Sequence, residues 1–447
     1  MGKTLATFKG GIHPPYNKNY TDKLSIETLR PPREIVIPMS MHIGAPCTPV
    51  VEAGDEVKMG QLVGQAAGFV SANIHSSVSG KVTAVEKRLT GSGQKTLCVI
   101  VENDFKDTMA DGIAPSDYLE LTKEELLDKI SAAGIVGLGG ATFPARVKFT
   151  IADDIKIDYI ILNGAECEPY LTCDHALMRE YPEKVIGGLK IMMKILGLKE
   201  GHIGVEDNKP DAIEKLEAAS DGSVIVHALE TKYPQGGEKQ LINAITGREV
   251  PSGKLPSAVG CVVANVATAA AVYDAVSAGT PVIERIVTVT GSGIRTPKVL
   301  SFRIGTLIHD MIESCDGLTE DAAKIILGGP MMGFAQYDTM IPSNKGTSGV
   351  LVLNAADAFA EEPSSCIRCA KCTQACPMHL MPLYISGFAE KNDAERCEEY
   401  NALDCIECGS CAFVCPARRP LVSTIRLAKR FVQDLRAEKA KAKEGEA

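Results

Sequence analysis

One spacing of cysteines, written twice near the end of the chain, constrains the fold more than any other feature. It reads Cys366-x-x-Cys369-x-x-Cys372-x-x-x-Cys376-Pro377, and again Cys405-x-x-Cys408-x-x-Cys411-x-x-x-Cys415-Pro416. Three thiolates at that spacing can wrap one iron–sulfur cube from a single tight loop. The fourth is expected to leave on a following helix that the proline helps to start.

The doubled run is that of two-cluster bacterial ferredoxins, in which the fourth Cys of each run ligates the other cluster. That rule assigns Cys366, Cys369, Cys372 and Cys415 to one [4Fe–4S] cluster, and Cys376, Cys405, Cys408 and Cys411 to the other. Zinc ribbons also use C-x-x-C pairs, but two pairs per metal, with no reason to keep the x₃-Cys-Pro tail twice. Disulfides would need an oxidising compartment. Cys47, Cys98, Cys167, Cys173, Cys261, Cys315 and Cys397 show no metal-site spacing and read as buried free thiols.

A chain of 447 residues is too long for one core and should hold several domains. A net charge of −9 argues against nucleic acid as the partner, and the absence of Trp argues against base-stacking platforms. The opening MGKTLATFKGGIHPP lacks the apolar core of a signal peptide. The longest apolar run, Ala258 to Val276, carries Asn265 and Asp274 and reads as a buried helix, not a membrane span. A cytoplasmic chain without a transmembrane segment is expected, its fifteen cysteines kept reduced.

The expected fold class is multidomain, α/β and α+β. Residues 1–33 are a Gly-, Pro- and Asn-rich N-terminal arm. Residues 34–116 hold short β-runs separated by glycines, resembling half of a biotinyl/lipoyl-type barrel sandwich. The attachment lysine of such barrels is replaced by Ser71-Ala72-Asn73-Ile74-His75-Ser76, which predicts a lipoyl-like structural barrel with no swinging cofactor and His75 on its surface. Residues 117–280 alternate helix and strand as one α/β domain, opened by a capping box at Thr122 and Glu125. Residues 281–354 return to short strands, a β-grasp-like unit whose Gly328–Gly333 stretch reads as a turn chosen for backbone geometry. The two-cluster ferredoxin module occupies 355–422, and a charged helix, polar all round in its last turns, occupies 423–447.

Within the α/β domain runs Gly137-Leu138-Gly139-Gly140-Ala141-Thr142-Phe143-Pro144-Ala145-Arg146-Val147-Lys148. Glycines let a backbone approach a ligand closely, and Thr142 with Pro144 can start a helix whose free N–H groups meet a phosphate, with Lys148 about one turn in. The segment is neither a G-x-G-x-x-G fingerprint nor a P-loop. The strand from Asp158 ends in Asn163-Gly164-Ala165-Glu166-Cys167-Glu168-Pro169, and polar residues at the carboxyl end of such a strand are where ligands bind.

With those residues in view the chain resembles the RnfC family, a component of the Rnf complexes, membrane-bound ion-translocating oxidoreductases that couple ferredoxin and NAD. The resemblance runs through GIHPP, the barrel, VGLGGATFPARVK, ILNGAECEP, GGEKQL, GGPMMG and both cysteine runs. The α/β domain is also similar to the flavin subunit of respiratory complex I, which binds FMN and NADH with a GAGFP loop and an N-A-D-E-x-E-P segment. The resemblance implies that Gly137, Gly139, Gly140, Ala141 and Lys148 cradle the phosphate and ribityl chain of a non-covalent FMN. It implies that Asn163 and Glu166 hold the flavin with Asn265 near its ring. Phe143 would stack on the nicotinamide side, Glu168 would hydrogen-bond NADH, and Glu238 would be another acidic residue of that pocket. Ala165 and Tyr170 depart from the complex I pattern, which has Asp and Gly there.

Chemistry supplies a separate reason for a flavin. A nicotinamide trades two electrons as hydride and an iron–sulfur cube trades one, so a carrier stable at both steps must stand between them. The implied activity is that of a translocase component passing electrons between NAD(H), FMN and two [4Fe–4S] clusters. It would be peripheral on the cytoplasmic face of the cell membrane, beside partner subunits of the Rnf complex that move Na⁺ or H⁺. No side chain is assigned to catalysis. The alternatives are a cobalamin reductase-like flavin/iron–sulfur enzyme, which resembles the same modules in another order, and a cluster-only electron-transfer adaptor without flavin.

Overall fold

The computed structural model describes residues 5–445 except Asp153 and Ala360. The arm is more than an extended lead. Ala6 bridges to Leu229 and Ile12 to Tyr233, and Ile26–Thr28 (β1) adds a parallel edge strand to a sheet formed far downstream.

Alternating apolar residues then build the barrel sandwich. Its strands are Glu34–Pro38 (β2), Thr48–Pro49 (β3), Glu56–Val57 (β4), Leu62–Gln65 (β5), Ile74–His75 (β6), Gly80–Leu89 (β7) and Lys95–Asn103 (β8). One sheet runs β2-β8-β7-β4 and the other β3-β5-β6, burying Ile35, Ile37, Val63, Ile74, Val82 and Val99. His75 is not the surface residue expected: it is 8% exposed. Burial, then the nearby Lys345 ammonium, lowers it to about 3 and keeps it neutral. Lys345 itself donates to the carbonyls of Asn73 and Gly134, both at 2.6 Å, pinning the barrel to the next domain.

The α/β domain opens with Lys123–Ala132 (α1), whose Thr122–Glu125 capping box forms as expected. The chain continues through Ala145–Phe149 (α2), Tyr159–Asn163 (β9), Cys173–Glu180 (α3), Pro182–Leu196 (α4) and Gly201–Glu206 (β10). It then passes Pro210–Ala219 (α5), Val224–Leu229 (β11), Glu238–Thr246 (α6), Cys261–Asn265 (β12) and Val266–Ser277 (α7). The sheet is parallel throughout, in the order β11-β10-β9-β12. The apolar run from Ala258 to Val276 is therefore no single helix. Its first half is β12, buried on both faces as parallel strands are, and Asn265 caps α7 through a bond from the Ala267 N–H. Helices α4 and α7 cross at Gly188, where a Cβ would stand 1.8 Å from the Ala269 carbonyl oxygen.

A six-stranded sheet follows, built from Glu284–Thr290 (β13), Lys298–Arg303 (β14), Ala322–Leu327 (β15), Phe334–Gln336 (β16) and Gly349–Asn354 (β17), with β1 at its edge. Ile308–Glu313 (α8) covers it and Ala355–Ala358 (α9) leads out. The C-terminal module comprises Lys371–Ala375 (α10), Pro382–Ala389 (α11), Ala394–Glu399 (α12), Ser410–Phe413 (α13) and Leu421–Gly445 (α14). Here the expectation for the fourth cysteine needs correcting. The third Cys of each run, Cys372 or Cys411, lies in the short helix and the fourth follows it, with Cys376 closing α10. Pro377 starts nothing, and the next helix begins at Pro382. Leu421, Ile425, Ala428 and Val432 of α14 pack on Ile385, Ala389, Cys397 and Ala402, so that helix closes the module.

Candidate functional site

Strands β9 and β12 are parallel neighbours although β10 and β11 come between them in the chain, so the strand order reverses there. Ligands in open α/β sheets bind at such a switch point, in the crevice beyond the carboxyl ends of the strands. Here both strands end in asparagine, with Asn163 and Asn265 paired in register. Over this crevice lies the Gly137–Phe143 loop, closed by Gly137 N–H to Phe143 O at 2.8 Å and Thr142 N–H to Gly137 O at 3.1 Å. The Leu138 N–H donates to Thr268 Oγ1 of α7 at 2.8 Å. A Cβ on Gly139 would lie 2.9 Å from the side chain of Asn265, so the loop seats there only as glycine. Gly139, Gly140 and Ala141 are exposed, and their N–H groups find no acceptor among the described residues. Thr142, expected to cap the next helix, instead takes a φ of 48°; Pro144 precedes α2. Such free amides beside an ammonium-bearing helix suit a phosphate-bearing cofactor.

Of the other expected site residues, Asn265 touches the loop at Gly139, whereas Glu168 lies against the Gly328–Gly333 turn. Lys148 reaches Glu238 at 3.0 Å and the Val263 carbonyl at 2.8 Å. Asn163 donates to the Gly236 carbonyl at 2.8 Å, and Asn265 to Asp174 at 2.7 Å. The ring-bearing Phe143 is half-buried beside the loop it closes. Glu166 uses both carboxylate oxygens on the first N–H groups of α3, from Asp174 at 2.7 Å and His175 at 3.1 Å. Glu168 accepts from the Met331 N–H at 3.1 Å and lies 3.5 Å from the Tyr233 hydroxyl. Burial raises its carboxyl to about 7. Glu166, Cys173 and Asp174 bring ligand atoms within 4.8 Å of one another. The Arg285 guanidinium is buried beside them, and burial holds the Cys173 thiol and the Asp174 carboxyl up, which favours the neutral form of each.

Several residues that sequence reasoning passed over hold this site. Lys18, buried in the arm, donates to the carbonyls of Glu166, Glu168 and Leu171 at 2.7, 3.0 and 2.6 Å. Lys209 does the same for Ala165 at 2.7 Å while paired with Glu206. Arg285, from the third domain, donates to the Leu138 carbonyl at 2.9 Å. Tyr170 stands at a φ of 69°, which explains glycine at that place in complex I, and stacks on Tyr20 of the arm. A lone Lys or Tyr acting across such separations leaves no local pattern to find.

Cys376 from the first run and Cys405, Cys408 and Cys411 from the second line one cavity, walled by Met378, Leu380, Ile406 and Ile425. Backbone N–H groups approach the sulfurs of Cys366, Cys376 and Cys405 at 3.4 Å, as cluster thiolates require. A tetrahedral zinc site with bonds near 2.3 Å holds its thiolates about 3.8 Å apart, but among the described residues no three of the eight come within 4.8 Å of one another. All fifteen cysteines are free, and the seven outside the runs are buried. The thiols are thus not gathered at the spacing of a tetrahedral zinc site. Cys366 and Cys369 are exposed, whereas Cys376, Cys408 and Cys411 are buried.

The inner thiol set abuts the flavin-type domain. Tyr233, fully buried, donates its hydroxyl to the Cys408 carbonyl at 2.7 Å. Gln240 of α6 donates to the Pro377 carbonyl at 3.1 Å, and the arm's Gly11 to the Ala375 carbonyl at 2.9 Å. The Gly328–Gly333 turn, read as backbone geometry alone, also brings Met331 into this junction beside Cys167 and Cys408.

Comparison with known proteins agrees with this division. Residues 6–106 match the RnfC barrel sandwich hybrid domain, 130–274 the Nuo51 FMN-binding domain, 286–335 the SLBB domain, and 359–432 the 4Fe-4S dicluster domain. The C subunit of the Na(+)-translocating ferredoxin:NAD(+) oxidoreductase complex of Acetobacterium woodii is 52% identical, over 97% of this chain and 98% of its own length. Its proton-translocating counterpart in Clostridium ljungdahlii is 49% identical, over 95% and 94%. In fold, the chain is similar to one component of an NAD+-reducing [NiFe]-hydrogenase crystallised in its H2-reduced state, with a TM-score of 0.50 at 18% identity, over 72% of this chain and 65% of that one. The four matched domains and the near-full-length identities together establish that the chain belongs to the RnfC family, the C subunits of ion-translocating ferredoxin:NAD(+) oxidoreductase complexes.

Proposed function

We propose that this protein passes electrons between NAD(H), FMN and two [4Fe–4S] clusters, on the cytoplasmic face of a membrane complex whose other subunits move Na⁺ or H⁺. No helix among the described residues is long and apolar enough to cross a membrane, which accords with peripheral attachment. The observation that carries the reading is the junction. A cavity lined by four thiols from both runs touches, through Tyr233 and Gln240, the domain that bears the glycine loop.

In this reading the exposed amides of Gly139, Gly140 and Ala141 hold the FMN phosphate and ribityl chain, Gly137 shapes the loop through its bond to Phe143, and Lys148, drawn to Glu238, balances charge nearby. Asn163 and Asn265 orient the flavin from the ends of β9 and β12, and Glu166 acts by fixing α3 beside it. Phe143 and Glu168 face the nicotinamide side. A bound flavin supplies the change from hydride to single electrons. The chain itself binds, orients and shields; no side chain has to move a proton.

Exposure orders the clusters. The set of Cys376, Cys405, Cys408 and Cys411 is the inner one beside the flavin domain, and the set of Cys366, Cys369, Cys372 and Cys415 faces outward, toward a partner. Reconstitution under anaerobic conditions tests the reading. Protein that takes up iron and sulfide for two four-iron clusters and one FMN supports it; protein that fills with iron yet never binds FMN is a cluster-only adaptor, and the flavin half fails.

A further inference from the structure

The junction between the flavin domain and the inner thiol set is made by very few polar atoms. Tyr233 is the largest fully buried side chain among the described residues, and its hydroxyl gives a hydrogen to the Cys408 carbonyl at 2.7 Å. Its backbone is clamped on the other side: Ile12 N–H donates to Tyr233 O at 2.8 Å, and Tyr233 N–H to Ile12 O at 2.9 Å. Around the phenol lie Cys167 from the strand-end loop, Met331 from the Gly328–Gly333 turn, and Ala375 and Ile406 from the module. The next residue after Cys408, Gly409, takes a φ of 81° with Met331 O only 3.1 Å from where a Cβ would be. The loop that presents Cys405, Cys408 and Cys411 is thus held from three sides by parts of the chain that ligate nothing.

We infer that Tyr233 is a positioning residue for the inner cluster, fixing the Cys408 segment against the flavin domain and tuning that cluster's reduction potential through its hydroxyl. The physical reason is dipolar. A buried O–H aimed at the cluster loop turns its positive end toward a centre that gains negative charge on reduction, and in an apolar shell that favours the reduced form. In the outer set, Cys366 and Cys369 stand exposed in a loop whose bond to sulfur is the Arg368 N–H to Cys366 Sγ at 3.4 Å, and the hydroxyl beside Cys372 is that of its own neighbour Thr373, not one from another domain. One phenol therefore acts on one cluster. Electron exchange between flavin and inner cluster should also depend on it, because the Ile12–Tyr233–Cys408 connection joins the Gln240–Pro377 and Gly11–Ala375 bonds in keeping the two domains in register.

The inference rests on the cluster assignment above, and iron counting separates the two failures. The test is Tyr233→Phe, which keeps the ring and its packing, compared with Tyr400→Phe, a tyrosine of the same module against Phe388 and Tyr384. Both variants of the full chain are reconstituted anaerobically, assayed for iron and FMN, and titrated electrochemically with electron paramagnetic resonance detection. The expected result for Tyr233→Phe is a full complement of iron and flavin, with one of the two cluster signals moved to lower potential and the other unmoved. Reduction of that cluster after NADH addition should slow several-fold, while Tyr400→Phe matches wild type. Loss of iron from one cluster alone, with flavin retained, carries the same meaning. Unchanged potentials for both clusters, or equal shifts of both, would overturn the assignment.

Discussion

Replacing Gly139 by alanine is the sharpest perturbation of the crevice. The new Cβ would lie 2.9–3.0 Å from the Cβ, Cγ and Nδ2 atoms of Asn265, closer than such atoms approach without something shifting. Asn265 is poorly placed to yield: it accepts from the Ala267 N–H at 2.8 Å as the cap of α7 and donates to Asp174 at 2.7 Å. Losing the cap costs about 1 kcal/mol, and losing the bond to Asp174 about 1–1.5 kcal/mol. Together that is about 2–2.5 kcal/mol, or roughly a 30- to 70-fold weaker FMN affinity if the ligand needs the native arrangement. The assay is fluorescence titration of deflavinated protein with FMN, with iron content checked to be constant. Gly140→Ala provides contrast, since no atom lies within 4 Å of its added Cβ and its cost comes from a φ of 126° alone. In an Asn265→Gly background, Gly139→Ala should lose most of its effect, because the clashing Cβ, Cγ and Nδ2 atoms are all gone. Affinity within twofold of wild type, or the same loss in both backgrounds, would refute the argument.

Three further outcomes follow from the same geometry. Lys18→Met strips the donor from three carbonyls of the loop that carries Glu166 and Glu168; thermal melting should drop by about 2–4 kcal/mol of stability and KM for NADH should rise, while iron content holds. The carboxyl of Glu168 rises from an ordinary 4.5 to about 7, chiefly through burial. A raised acid stabilises the fold fully below about pH 4.5 and loses that contribution as pH climbs through about 7, at most about 3 kcal/mol. Glu168→Gln should therefore flatten the fall in melting temperature between those pH values. Finally, Cys376→Ala should remove the same spectroscopic cluster as Cys405→Ala and leave the one lost in Cys366→Ala; the opposite grouping would contradict the exchange of fourth ligands between runs.

Local patterns carried much of this architecture. The doubled cysteine run, the Thr122–Glu125 capping box and the strand ending in Asn163 each follow from residue spacing over a few positions, and each stands where it was expected. The failures have physical causes. Ala258–Val276 is apolar throughout, and periodicity cannot divide a buried parallel strand from a buried helix; Asn265, noted there only as a polar interruption, is the helix cap that marks the division. His75 gives no sign of burial, because Lys345 and Ala132, which lie beside it, arrive from other domains. Thr142 precedes a proline-led helix and looks like a cap, but the loop's closure through Gly137 claims its N–H and turns its backbone left-handed. Tyr233, Lys18 and Arg285 act on atoms far away in the chain, and no spacing rule reaches that distance.

Anaerobic titration of the reconstituted full-length protein with NADH, followed by visible absorbance and electron paramagnetic resonance, reads the central claim directly. The account predicts that flavin absorbance bleaches on NADH addition and that reduced-cluster signals then appear from the same molecules. A protein that carries iron, sulfide and FMN but whose clusters stay oxidised until a chemical reductant is added would contradict it.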